Sequence, residues 1–416
     1  MSRLTLVEGS VVLFLVDVVR RIALLSLLCW LVACQPQVVT VEVTRLVAGE
    51  TAVSAPPGEV TRIVPVTREV VVEATRLVET AVEVTKTPLG SKERPLQLLF
   101  TPTIDTDLLS RRTQPLLEAM QAATGLHVAV GIVDDEQTLV GLLCQAPQDT
   151  IGFLTAVGYT LARQQCHAQL GLVAIHDDGY PWQADMLVSR PDLSGVRTVA
   201  DLVDLGDVRL AVNRADSLQT RYLEALLLAN GVAVAEKQVQ PGDNSSLLAV
   251  YEGEADIATG TFTPPILPFA EQPWRYGDDT PELWRRLGLP PTRSGLGYIL
   301  VNGTPETGGY RIRDARAGVF DSREDIFDVT RVITTTAPIP NETIAFGSDF
   351  PLGLSRTATE ALLDFAAADV CATSLCSPDF YGWAGLAVAA DVDYDPIRFI
   401  ATTLDLPLAA LLEIRD

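Results

Sequence analysis

Short apolar runs of strand length alternate with helically spaced segments along residues 96–188, and the alternation begins again after Asp192. Leu96 to Phe100 is an apolar run, whereas Thr106 to Thr124 carries leucines and a methionine at helical spacing and is followed by Gly125. Alternating strands and helices build mainly parallel sheets with helices on their faces. The sequence therefore predicts an α/β protein of two lobes, with its ligand beyond the carboxyl ends of the strands.

The charge balance narrows the possible partners. The 416 residues carry 31 Lys and Arg against 53 Asp and Glu, a formal net charge of −22. A surface that neutralises phosphates needs an excess of Lys and Arg, so we predict no nucleic-acid partner and no attraction of the folded part to anionic lipid. The three histidines lack the spacing of a helical metal site, and no phosphate-cradling or nucleophile-elbow motif is present. We predict no metal and no cofactor.

The first residues have the pattern of an export signal. Arg20 and Arg21 precede an apolar run that is too short to span a membrane as a helix, and the run ends in Leu-Val-Ala-Cys at residues 31–34. This ending resembles a bacterial lipobox, in which the cysteine is lipidated and becomes the first mature residue. We therefore predict a signal peptide over residues 1–33 and lipidation of Cys34. An ordinary signal peptide is the alternative.

Residues 34–95 are predicted to form an extended tether. They repeat a Val-Thr-Arg theme, contain β-branched and charged residues, and are interrupted by Pro56, Pro57 and Pro65. Such a segment lacks the large side chains of a packed core, and its prolines stop a helix. The alternative is a coiled coil, which the β-branched residues disfavour.

Four further cysteines, Cys144, Cys166, Cys371 and Cys376, follow the signal region. An even number in an exported chain suggests two disulfides, although three pairings are possible. The sequence favours Cys144 with Cys166 and Cys371 with Cys376, over a redox or metal role.

Polar residues at two predicted helix starts are candidates for ligand contacts. Ser217, Gln219 and Thr220 open a helix after one strand, and Thr155 and Tyr159 lie just beyond another. Backbone N–H groups at a helix N-terminus attract anions, but the sequence alone favours a plain N-cap, by Asp216 or Ser217, at the first of these two helix starts. Trp182 lies in an aromatic turn that could wall a pocket or simply lie on the surface.

Several strings in this order resemble the substrate-binding proteins of phosphate, phosphite and phosphonate ABC importers. The resemblance covers Leu96 to about Gly260 and again Pro338 to Arg398. It is carried by QPL at 114–116, DTIGFLTAVGYTLAR at 149–163, ADMLVSRPDLSGVRTVADLVDLG at 184–206, the helix start at 215–231, GEAD at 253–256 and IPN at 339–341.

The resemblance implies a type II periplasmic-binding fold with mixed, mainly parallel sheets and a hinge of crossing strands. The first lobe would comprise 96–187 plus 345–416. The second would comprise 188–344, with an irregular insert at 263–337 that either covers the cleft or decorates the lobe. The crossings would lie near Leu187–Arg190 and Thr343–Phe346.

The resemblance also implies a function and a site. The chain would be a monomeric extracytoplasmic receptor that passes a small oxyanion, or a related small polar ligand, to an ABC permease. Gln219 and Thr220 replace the serine and glycine of the family pattern, so the ligand class stays open. A sensory receptor or, less favoured, an enzyme on this fold is the alternative. The implied ligand-binding residues are Thr155, Tyr159, Trp182, Ser217, Gln219, Thr220 and Asp256.

Overall fold

A computed structural model of the chain describes residues 87–190, 193, 195–302 and 308–414. These residues all belong to one compact unit, Val82–Asp416. The predicted signal peptide, Cys34 and most of the predicted tether lie outside the described residues. The end of that tether is folded, because Arg94 forms a 2.8 Å ion pair with Asp149 and Gly90 accepts a hydrogen bond from the backbone of His127. The last residues of the predicted tether, 87–95, are thus held against the first sheet.

The strands follow in chain order: β1 (Leu96–Phe100), β2 (Val128–Ile132), β3 (Thr150–Leu154), β4 (Gln169–Ile175), β5 (Trp182–Gln183), β6 (Asp185–Ser189), β7 (Val208–Val212), β8 (Val234–Val239), β9 (Ile257–Thr261), β10 (Thr292–Arg293), β11 (Ile299–Val301), β12 (Tyr310–Ile312), β13 (Arg331–Thr335), β14 (Ile339–Pro340), β15 (Thr343–Phe346) and β16 (Gly385–Val388).

The helices are α1 (Thr106–Thr124), α2 (Glu136–Gln145), α3 (Ala156–Cys166), α4 (Leu218–Ala229), α5 (Asp243–Tyr251), α6 (Arg316–Val319), α7 (Leu352–Ala367), α8 (Asp395–Thr403) and α9 (Leu408–Leu411). Local chemistry sets several of their ends: Asp105 caps α1, and Gly125 ends it in the left-handed conformation at φ 69°. The last helical segment of the chain is divided into α8 and α9, because Asp405 has φ 52° and Pro407 follows it.

The first lobe is built on a six-stranded sheet in the order β16-β4-β15-β3-β1-β2. Strands β2, β1 and β3 are parallel neighbours, whereas β15 lies between β3 and β4 and is antiparallel to both. Apolar residues cover both faces of the sheet. The predicted α/β layering is confirmed, but parallel pairing is confined to part of the sheet, because the strand that returns from the second lobe inserts in the opposite direction.

The second lobe is built on a five-stranded sheet in the order β13-β6-β9-β7-β8. Here β7 is parallel to β8 and β9, and the two strands next to the hinge, β6 and β13, run antiparallel to their neighbours. Strand β8 has no counterpart in the sequence prediction, because its residues are mostly exposed and lack an apolar run.

The chain passes between the lobes twice, at β5 and β14, which pair with each other as a two-stranded antiparallel ribbon. The crossings predicted near Leu187–Arg190 and Thr343–Phe346 are thus misplaced by several residues. Leu187 lies inside β6 of the second sheet, and Thr343–Phe346 is β15 of the first. Both predicted positions are buried apolar strands, and the sequence pattern does not distinguish such a strand from the short ribbon beside it.

The predicted insert, residues 263–337, is largely ordered. It contains the three-stranded sheet β10-β11-β12, and its last strand, β13, belongs to the main sheet of the second lobe. Trp274, Trp284 and Phe327 are buried with Met186 and Val188 in one apolar cluster. The insert therefore forms a layer on one face of the second sheet.

Two disulfides join Cys144 to Cys166 and Cys371 to Cys376, the pairing that the sequence favours. The first ties the end of α2 to the end of α3, and the second closes a short loop after α7. Among the described residues, no helix has the length and apolar character to cross a bilayer.

Candidate ligand cleft between the lobes

A cavity of about 460 Å³ lies between the two lobes, and Gln183 of the hinge ribbon is part of its wall. It is bordered by the residues that follow β4, β7 and β9, so it occupies the carboxyl ends of strands from both sheets. Its wall comprises His176, Asp177, Asp178, Gln183, Ala184, Asp185, Arg214, Thr261, Phe262, Thr263, Tyr381 and Gly382. This volume fits a small ligand.

The charged side chains of the cavity are mostly acidic. Asp177, Asp178 and Asp185 contribute carboxylates, and Arg214 contributes the permanent cation. Asp185 is only 1% exposed, and the guanidinium of Arg214 lies 3.9 Å from its carboxylate. A buried carboxylate in a wall of this kind stabilises a positive charge placed beside it.

The N-terminus of α3, one of the two predicted anion positions, is occupied by a carboxylate of the chain itself. Thr155 is the N-cap, and its hydroxyl accepts the N–H of Gly158 at 3.1 Å. The same hydroxyl donates to Glu136 at 2.9 Å, and the Thr155 backbone N–H also donates to Glu136. A Cβ on Gly158 would clash with Glu136 Oε1, so this glycine provides the room for the carboxylate.

The surroundings of Glu136 make its negative charge costly. Burial raises the pKa of Glu136, the hydrogen bonds from Thr155 oppose that shift, and the charge of Glu342 adds to it. Burial also raises the pKa of Tyr381 in the cavity wall, and the charges of Glu342 and Glu136 act in the same direction. The charges of both glutamates therefore act on Tyr381, a residue of the cavity wall.

The N-terminus of α4 is capped within its own turn. The Ser217 hydroxyl accepts the backbone N–H of Thr220 at 3.1 Å and donates to the Thr220 hydroxyl at 3.1 Å. The Thr220 hydroxyl then donates to the carbonyl oxygen of Arg214 at 2.6 Å. Both side chains are fully buried, which is the arrangement of the N-cap alternative.

Gln219 differs from its two neighbours because its side chain reaches the hinge. Its Nε2 donates to Gln183 Oε1 at 3.4 Å, and Gln183 Nε2 contacts His176 Nδ1 at 3.4 Å. His176 Nε2 lies 2.8 Å from Glu342 Oε2. A hydrogen-bonded chain thus runs from the first lobe through β5 to the second lobe.

None of the seven predicted ligand residues is in the cavity wall, and three of them lie in other parts of the fold. Tyr159 is buried in the first lobe, where its hydroxyl donates to Asp391 at 2.7 Å. Trp182 lines a separate, apolar cavity of about 380 Å³, because successive residues of the β5 strand point to opposite faces and Gln183 takes the cleft side. Asp256 pairs with Arg209 at 2.7 Å and precedes β9, so it lies at the opposite end of the sheet from Thr261.

Several cavity residues were not predicted from the sequence, among them Asp185, Arg214, Gln183 and Tyr381. Arg214 follows the end of β7, so the expectation that ligands lie beyond strand ends could have identified it. Glu136 carries no such signal, because an acidic residue in the first turn of a helix is ordinary. Among the described residues, no group of three or more His, Cys, Asp and Glu side chains is arranged to hold a metal ion.

Comparison with protein families gives a match that covers more than half of the chain. Residues 98–394 match the model of the family described as ABC transporter, phosphonate, periplasmic substrate-binding protein. The chain belongs to this family. Among curated protein sequences, none matches the chain.

Solved structures similar to the chain include a binding protein component of an ABC phosphonate transporter from Pseudomonas aeruginosa, at 14% identity, with 74% of this chain and 86% of that chain covered and a TM-score of 0.35. PhnD1 from Prochlorococcus marinus, in complex with methylphosphonate, shares 13% identity over 74% of this chain and 98% of that chain, with a TM-score of 0.36. The periplasmic aliphatic sulphonate binding protein SsuA from Escherichia coli shares 11% identity over 79% and 84%, with a TM-score of 0.29. The family assignment rests on the family model, and it agrees with the two-lobed α/β architecture of a type II periplasmic-binding protein.

Proposed function

We propose that this periplasmic-type substrate-binding protein is a monomeric receptor tethered to the cell membrane through lipid on Cys34, and that it delivers its ligand unchanged to an ABC permease. The signal-like run before Cys34 and the β-branched spacer after it support the anchor. The family supports the role in import.

The observation that carries the ligand site is the cavity of about 460 Å³ between the lobes. It is bounded by both lobes and by the hinge, so a ligand in it contacts both lobes only when they are close together. Such differential contact is the physical basis for a receptor that closes on its ligand.

The charge of the cavity supports a ligand that carries an ammonium or another N–H group. Three carboxylates line the wall together with Arg214, and Glu136 already occupies the α3 N-terminus. A simple oxyanion would meet like charges there, whereas an amine would be stabilised by Asp185 and its neighbours. Arg214 remains able to pair with an acidic group at the other end of the same ligand.

Thermal unfolding of the full-length protein tests this function. We expect 2-aminoethylphosphonate or ethanolamine to raise the melting temperature, and we expect ethylphosphonate and inorganic phosphate to have little effect. Asp185→Asn should weaken the binding by about tenfold or more, whereas Asp204→Asn, at an exposed position, should not change it.

Three results would contradict the proposal: stabilisation by none of these probes, stabilisation that Asp185→Asn leaves intact, or recovery of a chemically altered probe after incubation. The last result would indicate an enzyme.

A further inference from the structure

The hydrogen-bonded chain across the hinge has a direction that Glu342 fixes. A carboxylate only accepts hydrogen bonds, so His176 must present a protonated Nε2 to Glu342. A neutral imidazole has one N–H, so its Nδ1 accepts, and Gln183 must offer its NH₂ group there. The Gln183 oxygen therefore faces Gln219 and takes the Gln219 NH₂ group.

This direction places the amide oxygen of Gln219 at the end of the series of hydrogen bonds. Gln219 is 1% exposed, and its Oε1 has no hydrogen-bond partner among the described residues. A buried acceptor without a donor is unfavourable, and such groups are rare in folded proteins. The oxygen lies in the first turn of α4, on a side chain whose NH₂ group contacts the cavity residue Gln183.

We propose that Gln219 Oε1 accepts an N–H from the ligand, which makes Gln219 a specificity-determining residue and Gln183, His176 and Glu342 the residues that set its orientation. This inference rests on the proposed function. Gln219 is buried beside the cavity residue Gln183 and is not itself in the cavity wall, so the proposed contact requires that the ligand reaches Gln219 when the lobes separate and that closure buries the new hydrogen bond. The cleft thereby selects a ligand that donates at this point, consistent with its acidic wall.

Protonation of His176 reverses the donor-to-acceptor direction of the hydrogen bonds through Gln183 and Gln219. An imidazolium donates from both nitrogens, so Gln183 then turns its oxygen to His176 and its NH₂ group to Gln219, and Gln219 in turn is left with a free NH₂ group. The groups around His176 are Glu342, Asp177 and Asp178 from the first lobe, and Asp185, Arg214 and Tyr381 in the same cavity wall. The hydrogen bond to Glu342 raises the pKa of His176, burial opposes this, and the three nearby carboxylates add to it.

Matched probes test the contact by calorimetry on the full-length protein at pH 8.5. We use 2-aminoethylphosphonate against ethylphosphonate, and ethanolamine against choline, which has no N–H. In each probe pair for which binding is detected, the member with the N–H group should bind at least about tenfold more tightly than the other member. Equal affinity within the pairs, or tighter binding of ethylphosphonate or choline, overturns the inference and leaves the solute-binding role intact. Binding of no probe contradicts the proposed function itself.

Variants separate a ligand contact from a structural role. Gln219→Leu should abolish the preference for the N–H member, whereas Gln219→Glu, which only accepts, should keep it. Gln164→Leu, at an exposed position of α3, should leave it unchanged. If Gln219→Leu keeps the preference, or if Gln219→Glu loses it while remaining folded, Gln219 does not contact the ligand as proposed.

The pH dependence of ligand affinity tests whether His176 sets the orientation of the Gln183 and Gln219 amides. The ratio of affinities within a probe pair should fall between pH 8.5 and pH 5.5, and His176→Gln should remove that pH dependence. Nitrogen NMR on the three histidines should show His176 protonated at Nε2 and bare at Nδ1 at pH 8.5. A bare Nε2, or a ratio that changes with pH equally in His176→Gln, contradicts the fixed direction of the chain.

Discussion

The N-termini of α3 and α4 follow strands of different lobes, and each has an N-cap hydroxyl that accepts a backbone N–H, from Gly158 in α3 and from Thr220 in α4. The two differ in what else is bound there. At α3 a carboxylate from another helix is bound as well, because Thr155 donates to Glu136 through both its backbone N–H and its hydroxyl. At α4 the remaining contact stays within the same turn, because the Thr220 hydroxyl donates to the carbonyl oxygen of Arg214.

This difference supports the proposed ligand, one with an N–H group rather than a simple oxyanion. A helix N-terminus stabilises negative charge wherever it comes from. The chain supplies that charge to α3 through Glu136, so the ligand does not need to. At α4 the cap uses the backbone N–H group of Thr220 and leaves Gln219 as the side chain that extends to the hinge.

The largest expected effect comes from emptying the α3 N-terminus. Glu136→Ala removes the carboxylate and exposes the N–H and hydroxyl of Thr155, so affinity for methylphosphonate or inorganic phosphate should rise by about tenfold or more. Calorimetry on the full-length variant measures this gain. Glu360→Gln, an exposed glutamate on α7, is the control for lost charge, and an equal gain in that variant would show that Glu136 does not fill an anion site.

A smaller effect is expected from removing the α4 cap. Ser217→Ala should lower the free energy of unfolding by about 1 kcal/mol, the usual cost of losing an N-cap hydroxyl, measured by denaturant unfolding. Ligand affinity should change little, because the hydroxyl is engaged within its own turn. Ser110→Ala, at an exposed position of α1, is the matched control. Loss of affinity without loss of stability would favour the ligand role that the family resemblance implies.

The His176–Glu342 pair should make stability depend on pH in one direction. The pKa of His176 is raised in the folded protein by its bond to Glu342, so the pair stabilises fully below the unfolded value of about 6.5 and loses that contribution as pH rises through the raised pKa. Because both side chains are partly exposed, the effect should not exceed about 1 kcal/mol. Denaturation of the wild type and of His176→Gln at pH 5.5 and 8.5 measures it, and an identical pH slope in both proteins would contradict the assignment.

The smallest effect is expected at Asp256. Its carboxylate pairs with Arg209 at the end of β9 away from the cavity, and the Arg209 bond lowers the pKa of Asp256. Asp256→Asn should therefore leave ligand affinity unchanged and cost at most about 1 kcal/mol of stability. An affinity loss comparable to that of Asp185→Asn would return Asp256 to the ligand site.

The α/β layering was predictable because it depends on periodicity. Leu96–Phe100 and Thr106–Thr124 show the apolar spacing of a strand and a helix, and the structure has both elements at these bounds. Strand β8 was not predictable in this way, since an exposed strand with Glu236 and Lys237 in it has no apolar signature.

The site was less predictable than the fold. Gln219 was identified through its place in a family pattern, but its contact with Gln183 depends on where the chain crosses between lobes, and no local pattern marks that crossing. Glu136 and Thr155 are 19 residues apart in sequence. Their contact depends on how α2 packs against α3, which periodicity does not specify.

The crystal structure of the full-length protein with 2-aminoethylphosphonate tests the central claim most directly. The ligand should lie between the lobes with its ammonium group within hydrogen-bonding distance of Gln219 Oε1, while Glu136 still accepts from Thr155. A phosphonate oxygen on the Thr155 N–H, with Glu136 displaced, would contradict the account.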